Sequence, residues 1–541
     1  MTKIIIFYII WVLLLSTSTA FANNLEIENI SLTDKDSSGN TYDIEFDISW
    51  DNSWYNGSAA PDNYDAAWVF AKFSKYSGGS WSEWAHCTLS SSDTDHVAPA
   101  GSTIDTGLTT TGKGVFIYRD APGNGSNNWD NAQIRWEYGT DGVEDFENVR
   151  IKVFGIEMVY VPQGPFYIGD ADNDQEGCFF TADGSFVEDE VGLPQYTITS
   201  EGAITVGTSS GNLYYDAETG STGDRTGPIP AAYPKGYNAF YVMKYELAQG
   251  QYVDFLNTLN GTQQANRVSA VTAGTFMDAT APGAGTPQTR NGIVCDIAPA
   301  GSKAGVYAHN LDEDGVYNES TDGKWIACNW LSWMDGAAYA DWAALRPYTE
   351  LEFEKVARGP QLVVDDEYAW GSTDLTQAEG AVQSSGEETE VANTTGNGLC
   401  NYDGVGTDTG GPLRAGFAAT GLTNRLQSGG SYYGAMELSG NLMERLVTVG
   451  NDTSGAEIGG RAFDGAHGNG ILSAGGYSDV ATWPGYNTGT TIVDGARGSG
   501  LRGGAWSLAE TFHTVSDRSI AAVIQPDGSA IRGFRGARTA P

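Results

Sequence analysis

Oxygen-bearing side chains alternate along residues 310–322, and this spacing is typical of a calcium-binding loop. The side chains that open the pattern are Asn310, Asp312 and Asp314. In a turning loop alternate positions point inward, and Gly315 permits the sharp bend that such loops need. An acid further along, Glu319 or Asp322, can close the coordination shell. The sequence therefore predicts calcium here, and the alternative is a solvated acidic turn.

A second acidic segment, residues 170–176, has the same alternation without the glycine. Its acids at alternate positions are Asp170, Asp172 and Asp174. Calcium binding and a solvated turn are both open interpretations of this segment.

The cysteines form no metal or redox motif. The chain has five, scattered along its length: Cys87, Cys178, Cys295, Cys328 and Cys400. The absence of a CxxC pair disfavours a zinc site and a redox dithiol. Because the count is odd, at least one thiol is unpaired or intermolecular.

The charge of the chain disfavours two classes of partner. It has 29 Lys and Arg against 68 Asp and Glu, which gives a net charge of −39. Nucleic acid is not expected as a partner, because phosphate binding requires a basic patch. Docking on anionic lipid is disfavoured for the same reason. The hydrophobic fraction, 40%, is sufficient for globular cores.

The N-terminus has the pattern of a signal peptide. An apolar run at residues 4–15 is followed by Ala20-Phe21-Ala22, and we predict cleavage before Asn23. An uncleaved anchor is the alternative. No later segment has a run of apolar residues long enough to span a bilayer. We therefore expect an exported protein without a transmembrane segment after cleavage, extracellular or at the cell surface, with the periplasm as the alternative.

Residues 23–154 have the alternation of a β-sandwich-like domain. Hydrophobic and polar residues alternate with the period of two expected of half-buried strands at residues 42–50, 67–73, 114–118 and 149–154. Turns rich in Gly, Ser, Asp and Asn separate these strands. Its default role is that of a spacer or adhesion module.

The remaining residues, 155–541, have a mixed pattern. We predict a hairpin at 158–169 and helices at 247–259, 332–345 and 349–358, the last opened by a capping box of Thr349 with Glu352. Glu350, Glu352 and Glu354 of that helix are available for salt bridges. Long irregular segments near 170–235, 260–325 and 372–430 indicate binding loops, insertions or metal-held loops.

Eight short blocks of this second region follow one another in a recognisable order. They are MVYVPQGPF (158–166), YEL (245–247), LSWMDGAAY (331–339), LRPYTELEFEK (345–355), YAWG (368–371), YGAMELSGNL (433–442), LRGGAW (501–506) and RGFR (532–535). In this order they resemble the formylglycine-generating enzyme, or sulfatase-modifying factor, family. The resemblance covers the chain from about Met158 onward and implies an α+β, elaborated C-type-lectin-like fold rich in irregular loops.

The resemblance implies a copper site that this sequence does not complete. In the family's oxidases two cysteines after the Gly-Gly-Ser block bind copper and convert a substrate cysteine to formylglycine. Those two positions fall on Leu508 and His513 here, and the serine falls on Ala505. Soft thiolates hold Cu(I), so copper is not expected. A related branch binds iron through histidines. His309, His467 and His513 could converge on such a site, and the favoured alternative is that they are separate surface or loop histidines.

The resemblance also implies calcium ligands, which map onto Asn393 and onto Asn441 with nearby backbone carbonyls. Glu437 and Glu444, near Arg445, are interpreted as members of a stabilising ion pair rather than as a glycosidase pair. Gly440, Gly503 and Gly504 are expected at tight turns or close backbone approaches.

These observations favour an exported, non-catalytic binding or structural protein on a calcium-braced scaffold. Its expected partner is a glycan, a peptide, an envelope protein or a second copy of the chain. The alternative is a metal-dependent oxidase or oxygenase of the same superfamily with altered ligands. A third possibility is an assembly subunit of an envelope layer or filament.

Overall fold

The computed structural model describes residues 24–57, 60–107, 112–172, 175–185, 192–215, 223–404, 410–450 and 456–540. The predicted signal peptide, residues 1–22, lies outside this range. None of the helices in the described ranges is long and apolar enough to cross a membrane.

The first part of the chain is built of strands. They are β1 (Glu26–Asp36), β2 (Thr41–Tyr55), β3 (Asp65–Ser77), β4 (Ser80–Trp81), β5 (Ala85–His86), β6 (Ser102–Asp105), β7 (Val115–Arg119), β8 (Gly123–Trp136) and β9 (Asn148–Val161), with a 3-10 turn at Asp93–Asp95. The four strands expected from alternation are confirmed within β2, β3, β7 and β9.

Short strands and helices follow. The next strands are β10 (Phe166–Ile168), β11 (Phe179–Thr181), β12 (Tyr196–Ile198), β13 (Ile204–Val206), β14 (Leu213–Tyr215), β15 (Gly227–Ile229), β16 (Phe240–Met243), β17 (Ile293–Ile297) and β18 (Val306–His309). The helices are α1 (Gln249–Leu256), α2 (Gly261–Arg267), α3 (Trp333–Trp342) and α4 (Glu350–Arg358). The three predicted helices are confirmed, each somewhat shorter than expected, and Thr349 caps α4 with Glu352.

The last third of the chain is mostly loop between short strands. Its strands are β19 (Arg346–Pro347), β20 (Thr376–Gln377), β21 (Leu399–Cys400), β22 (Met443–Val447), β23 (Tyr486–Asn487), β24 (Ile492–Val493), β25 (Ser499–Arg502), β26 (Arg532–Phe534) and β27 (Gly536–Thr539), with 3-10 turns at Gly460–Ala462 and Glu510–His513. The architecture is α+β and rich in irregular loops, as predicted.

One nine-stranded sheet joins the two predicted regions of the chain. Its strand order is β19-β27-β16-β9-β3-β7-β6, with β4 and β5 added at β3. Strand β9 pairs with β3 from Asp65 opposite Val159 to Tyr76 opposite Asn148, and its C-terminal end also pairs with β16. The predicted boundary between residues 154 and 155 therefore lies inside β9.

The two faces of this sheet are covered by different elements. On one face the three-stranded sheet β1-β2-β8 packs against β3, β6, β7 and the N-terminal half of β9, and these two layers form the sandwich. Helix α4 packs on the same face, against the C-terminal end of β9 and against β16. On the other face α1 and α3 contribute Phe255 and Trp342 to the largest core. Side chains of β9 alternate between these cores, with Phe154 and Ile156 on the helical face and Val153 and Val159 on the opposite face.

The predicted hairpin at 158–169 is wrong. Strand β10 pairs with β12, whereas β9 pairs with β3 and β16. Pro162 and Pro165 stand between β9 and β10. Because proline has no N–H to donate to a ladder, the chain leaves the sheet at this point and β10 packs near α4.

Candidate functional site

The segment that follows β25 contains Leu508 and His513, the positions at which the resemblance places the copper-binding cysteines of the family's oxidases. Gly503 and Gly504 both have positive φ, 90° and 70°. A Cβ at Gly504 would lie 2.5 Å from the His513 ring, which is closer than real Cβ contacts allow. The glycine thus permits the histidine to pack directly on the backbone, and the close approach predicted for this pair is confirmed.

Leu508 lies in an apolar environment. It is half-buried and packs against a cluster of Met443, Leu501 and Ala505. Its carbonyl oxygen accepts a hydrogen bond from the backbone N–H of Asp403 at 2.8 Å. An isobutyl group offers no lone pair to a metal, so this position contributes packing and no ligand.

His513 is fully buried and both of its ring nitrogens face backbone carbonyls. Nδ1 lies 2.9 Å from the oxygen of Ala509 and Nε2 lies 3.2 Å from the oxygen of Ala505. Burial lowers the pKa of His513 to about 4, so the ring is neutral at pH 7 and donates one N–H.

The thiols are equally unsuited to copper. All five cysteines lie within the described ranges, and each is buried and unpaired. Cys400 is joined to this region through Ser439: its thiol lies 3.2 Å from the Ser439 carbonyl, and the Ser439 hydroxyl donates to the His513 carbonyl at 2.7 Å. Burial raises the pKa of the Cys400 thiol, which favours its protonated form.

The histidines proposed for an iron site do not converge. His309 bonds to Asn318, and His467 accepts from the backbone N–H of Thr539 at 3.0 Å. In the described part of the chain two groups of acidic side chains could hold a metal ion, and neither includes a histidine or a cysteine.

Beneath the Leu508–His513 segment lies a network of buried ion pairs centred on α4. Glu350 binds Arg502 at 3.1 Å and Arg518 at 2.7 Å, and Glu354 binds Arg502 at 2.9 Å. Although burial favours the neutral acid, Arg518 and Arg502 hold the pKa of Glu350 below its ordinary value. The salt bridges expected of the α4 acids are confirmed, and Glu352 completes them by pairing with Arg346.

The turn at residues 437–441 also contacts the segment that follows β25. Gly440 has φ +96°, and a Cβ there would lie 2.3 Å from the Cys400 sulfur. The amide oxygen of Asn441 accepts from the backbone N–H of Leu413 at 2.8 Å and from the amide of Asn401 at 3.0 Å. Its amide nitrogen donates to Glu246. Each polar atom of the Asn441 side chain therefore has a protein partner.

Two other oxygens at this turn have no hydrogen-bond donor among the described residues. They are Oε2 of Glu437 and Oδ1 of Asn401, both buried and both on residues that line the same small cavity. Burial raises the pKa of Glu437 to about 7. These two residues, rather than Asn441, offer unused oxygens. The expected ion pair of Glu444 is formed with Arg535 at 2.6 Å, and not with Arg445.

The loop at 310–322 brings a carboxylate cluster together. Carboxylate oxygens of Asp312, Asp314 and Glu319 lie within 4.8 Å of one another. Of the two acids considered for closing the loop, Glu319 is the one that joins the cluster. All three side chains are exposed, and Thr321 donates to Asp312 at 2.6 Å.

The other two residues predicted for this loop lie behind the cluster. Asp322 is buried and accepts from the backbone N–H of Glu319 at 2.7 Å, while its Oδ1 has no donor in the described ranges. Burial, with the acids of the loop, raises its pKa to about 6. The amide oxygen of Asn310 lies 3.4 Å from the backbone nitrogen of Gly315.

Asn393 lies at the surface in a different loop. Its amide oxygen accepts from Gln383 at 2.9 Å, and its amide nitrogen donates to the carbonyl of Ala381. The six predicted calcium ligands thus occupy three separate places: Asn310, Asp312, Asp314 and Asp322 in one loop, Asn393 in a second, and Asn441 at the buried turn.

A cleft of about 240 Å³ opens between β1, β9, α1 and the loop before α3. Its lining includes the half-buried Trp325, the exposed Lys324, and the carboxylates of Asp254 and Glu157. Desolvation raises the pKa of Asp254 against the attraction of nearby lysines. One oxygen of Glu157 has no donor among the described residues.

The family model of the sulfatase-modifying factor enzyme 1-like domain matches residues 149–540 of the chain. The chain belongs to this family. No curated protein matches the chain. The region that matches the sulfatase-modifying factor family begins at residue 149, in β9. The family domain and the N-terminal sandwich therefore share this strand.

In this member of the sulfatase-modifying factor family, positions 508 and 513 are leucine and histidine, which supply no thiolate. The sequence did not predict that Glu437 and Asn401 have side-chain oxygens available to a ligand near the turn. The signal for Glu437 was a carboxylate four residues before Asn441. Oε2 of Glu437 is available because no hydrogen-bond donor among the described residues reaches it. This depends on contacts between segments that are distant in the sequence.

Proposed function

We propose that this sulfatase-modifying factor protein is exported and non-catalytic, and that it acts as a binding or structural protein outside the cell or at its surface. The observation that carries the proposal is the packing at the two copper positions. Leu508 contacts apolar side chains, and the two nitrogens of His513 face backbone carbonyls. A copper site at this place would need ligands that these residues do not supply.

Calcium braces the loops of the scaffold in this proposal. Support comes from the exposed cluster of Asp312, Asp314 and Glu319 and from the donor-free oxygens of Glu437 and Asn401 at the buried turn. Hard oxygen ligands of this kind suit calcium.

Metal analysis tests both parts of the proposal. The full chain would be purified without added metal, and its metals measured by mass spectrometry, with the double variant Leu508→Cys/His513→Cys loaded with Cu(I) as a reference. We expect near-stoichiometric calcium and no copper or iron in the wild type. Stoichiometric copper or iron, with oxygen consumption, would instead establish an oxidase or oxygenase. A protein without any of these metals would retain the non-catalytic assignment and remove the calcium brace.

The cleft beside α1 is the proposed binding site, and a glycan is the proposed ligand. A sugar ring stacks on an aromatic face while its hydroxyls donate to carboxylates, and Trp325 and Asp254 provide these two features. Binding to a glycan array should be lost in Trp325→Ala and weakened in Asp254→Asn. Trp81→Ala is the matched control, since Trp81 is exposed on β4 outside the cleft. Equal loss in the control would contradict this location.

A further inference from the structure

Asp170 is a buried carboxylate with no side-chain partner among the described residues. It follows Gly169 at the end of β10 and is completely inaccessible to solvent. Apart from the adjacent backbone N–H of Ala171, its carboxylate oxygens have no hydrogen-bond donor in the described part of the chain. Buried polar groups are nearly always hydrogen-bonded, and a buried charge is costly unless it is paired or coordinates a metal. An aspartate in this state calls for a positively charged occupant.

Two further carboxylates lie beside it. One oxygen from each of Asp170, Asp172 and Asp365 falls within a mutual distance of 4.8 Å. Asp172 comes two residues after Asp170, whereas Asp365 lies in the loop that follows α4. Three carboxylates at this spacing repel one another, and a cation between them would remove that repulsion.

The guanidinium of Arg358 acts on Asp170 only through its charge. Arg358 donates to the carbonyls of Tyr167 and Gly169 and binds Glu354 and Glu367. Four of its five N–H donors are therefore taken by other groups.

We propose that Asp170, Asp172 and Asp365 bind one calcium ion. Oxygen ligands, the two-segment origin of the set and the burial of its central member together favour this hard divalent cation. The site is separate from the loop at 310–322 and from the turn at 437–441, so the inference goes beyond the calcium brace proposed above.

The position of this site gives it a structural role beside the Leu508–His513 segment. Gln175, in the same loop as Asp172, donates to Asp366 and accepts from Thr514. Val515 donates to the carbonyl of Glu367 at 2.8 Å. A calcium ion at Asp170 therefore joins the loop after β10 to the loop after α4, and both contact the residues that follow His513.

Calcium titration calorimetry on the full chain, after treatment with a chelator, tests the proposal. We expect Asp170→Asn to lose one calcium equivalent relative to the wild type. The double variant Asp312→Asn/Asp314→Asn is the matched control, because it removes the exposed cluster and should keep the equivalent that Asp170→Asn loses. If the calcium brace at 310–322 fails, only the control will titrate like the wild type. Should Asp170→Asn bind as much calcium as the wild type, the proposal is overturned.

Thermal unfolding provides a second readout that does not depend on calorimetry. Without metal, Asp170→Asn should have a Tm at least equal to that of the wild type, because the amide removes an uncompensated buried charge. With calcium, the wild type should gain more in Tm than the variant. Asp365→Asn should behave in the same way, which guards against a folding defect particular to position 170. An equal gain in all three proteins would contradict the site, and magnesium acting as well as calcium would overturn the choice of ion.

Discussion

At the scale of single residues, one buried cluster links folding to pH. The ammonium of Lys244 lies 3.0 Å from Asp65 and 3.0 Å from Glu157, so one positive charge meets two carboxylates. The second oxygen of Glu157 has no donor in the described ranges. Burial raises the pKa of Glu157 to about 7 from its ordinary value of 4.5.

This shift predicts a defined loss of stability with rising pH. The folded state holds the Glu157 proton up to about pH 7, whereas the unfolded state releases it near pH 4.5. The free energy of unfolding should therefore fall between these values, by at most ~3 kcal/mol for this group. Glu157→Gln should remove that part of the slope, measured by urea unfolding from pH 4 to 8. A constant difference between the two proteins across this range would contradict the assignment.

A glycine substitution tests the close approach at His513. Gly504→Ala places a Cβ 2.5 Å from the ring at a φ of +70°, so overpacking and backbone strain both act. We expect a loss of ~2–4 kcal/mol in the free energy of unfolding by denaturant. Gly274→Ala is the control, since its φ is +80° with no atom within 4 Å; it should lose about 1 kcal/mol. Similar losses in both variants would show that the contact with His513 adds no cost.

At the scale of elements, α4 is held by charge as well as by packing. Glu350 lies between Arg502 of β25 and Arg518. Glu350→Gln leaves two buried guanidinium groups short of a counter-charge, and we expect a loss of ~3–5 kcal/mol. Lys35→Met, which breaks a solvent-exposed pair with Asp145, should cost much less, because water screens an exposed pair. Guanidinium chloride unfolding measures both, and equal costs would contradict the network's role.

Element-level patterns were well predicted where a local signal exists. Period-two alternation identified β2, β3, β7 and β9, and the capping box at Thr349 identified the start of α4. The pairing of β9 with β16 was not predictable in this way, since Val159 and Val161 alternate like any strand end. The lack of a hydrogen-bond donor to Oε2 of Glu437 among the described residues was also not predictable. It depends on how segments that are distant in the sequence pack around this carboxylate.

At the scale of the whole molecule, the shared sheet makes the N-terminal sandwich part of the family domain's core. Phe70 of β3 packs on Trp342 of α3 with ring centroids 5.1 Å apart, and Lys72 donates to the Trp342 carbonyl at 2.7 Å. Removing residues before 148 would expose one edge of β9 and this aromatic cluster.

The corresponding experiment is a truncated chain that begins at residue 148. We expect it to aggregate or to lack a fixed tertiary structure, because β9 loses its pairing with β3 and one face of its core. Size-exclusion chromatography and near-ultraviolet circular dichroism, with the full chain as reference, are the measurements. A monodisperse truncated chain with a native-like spectrum would show that residues from 148 onward fold independently.

Strand β9 also determines how the molecule bears mechanical load. It is bonded to β3 along twelve residues, Asn148 to Val159, and to β16 at its other edge. A pull that slides β3 along β9 must break many ladder bonds together, whereas a hinge between two separate domains would yield first. Tension across this sheet is therefore carried by the β3–β9 ladder, and no flexible linker between the sandwich and the family domain stretches first.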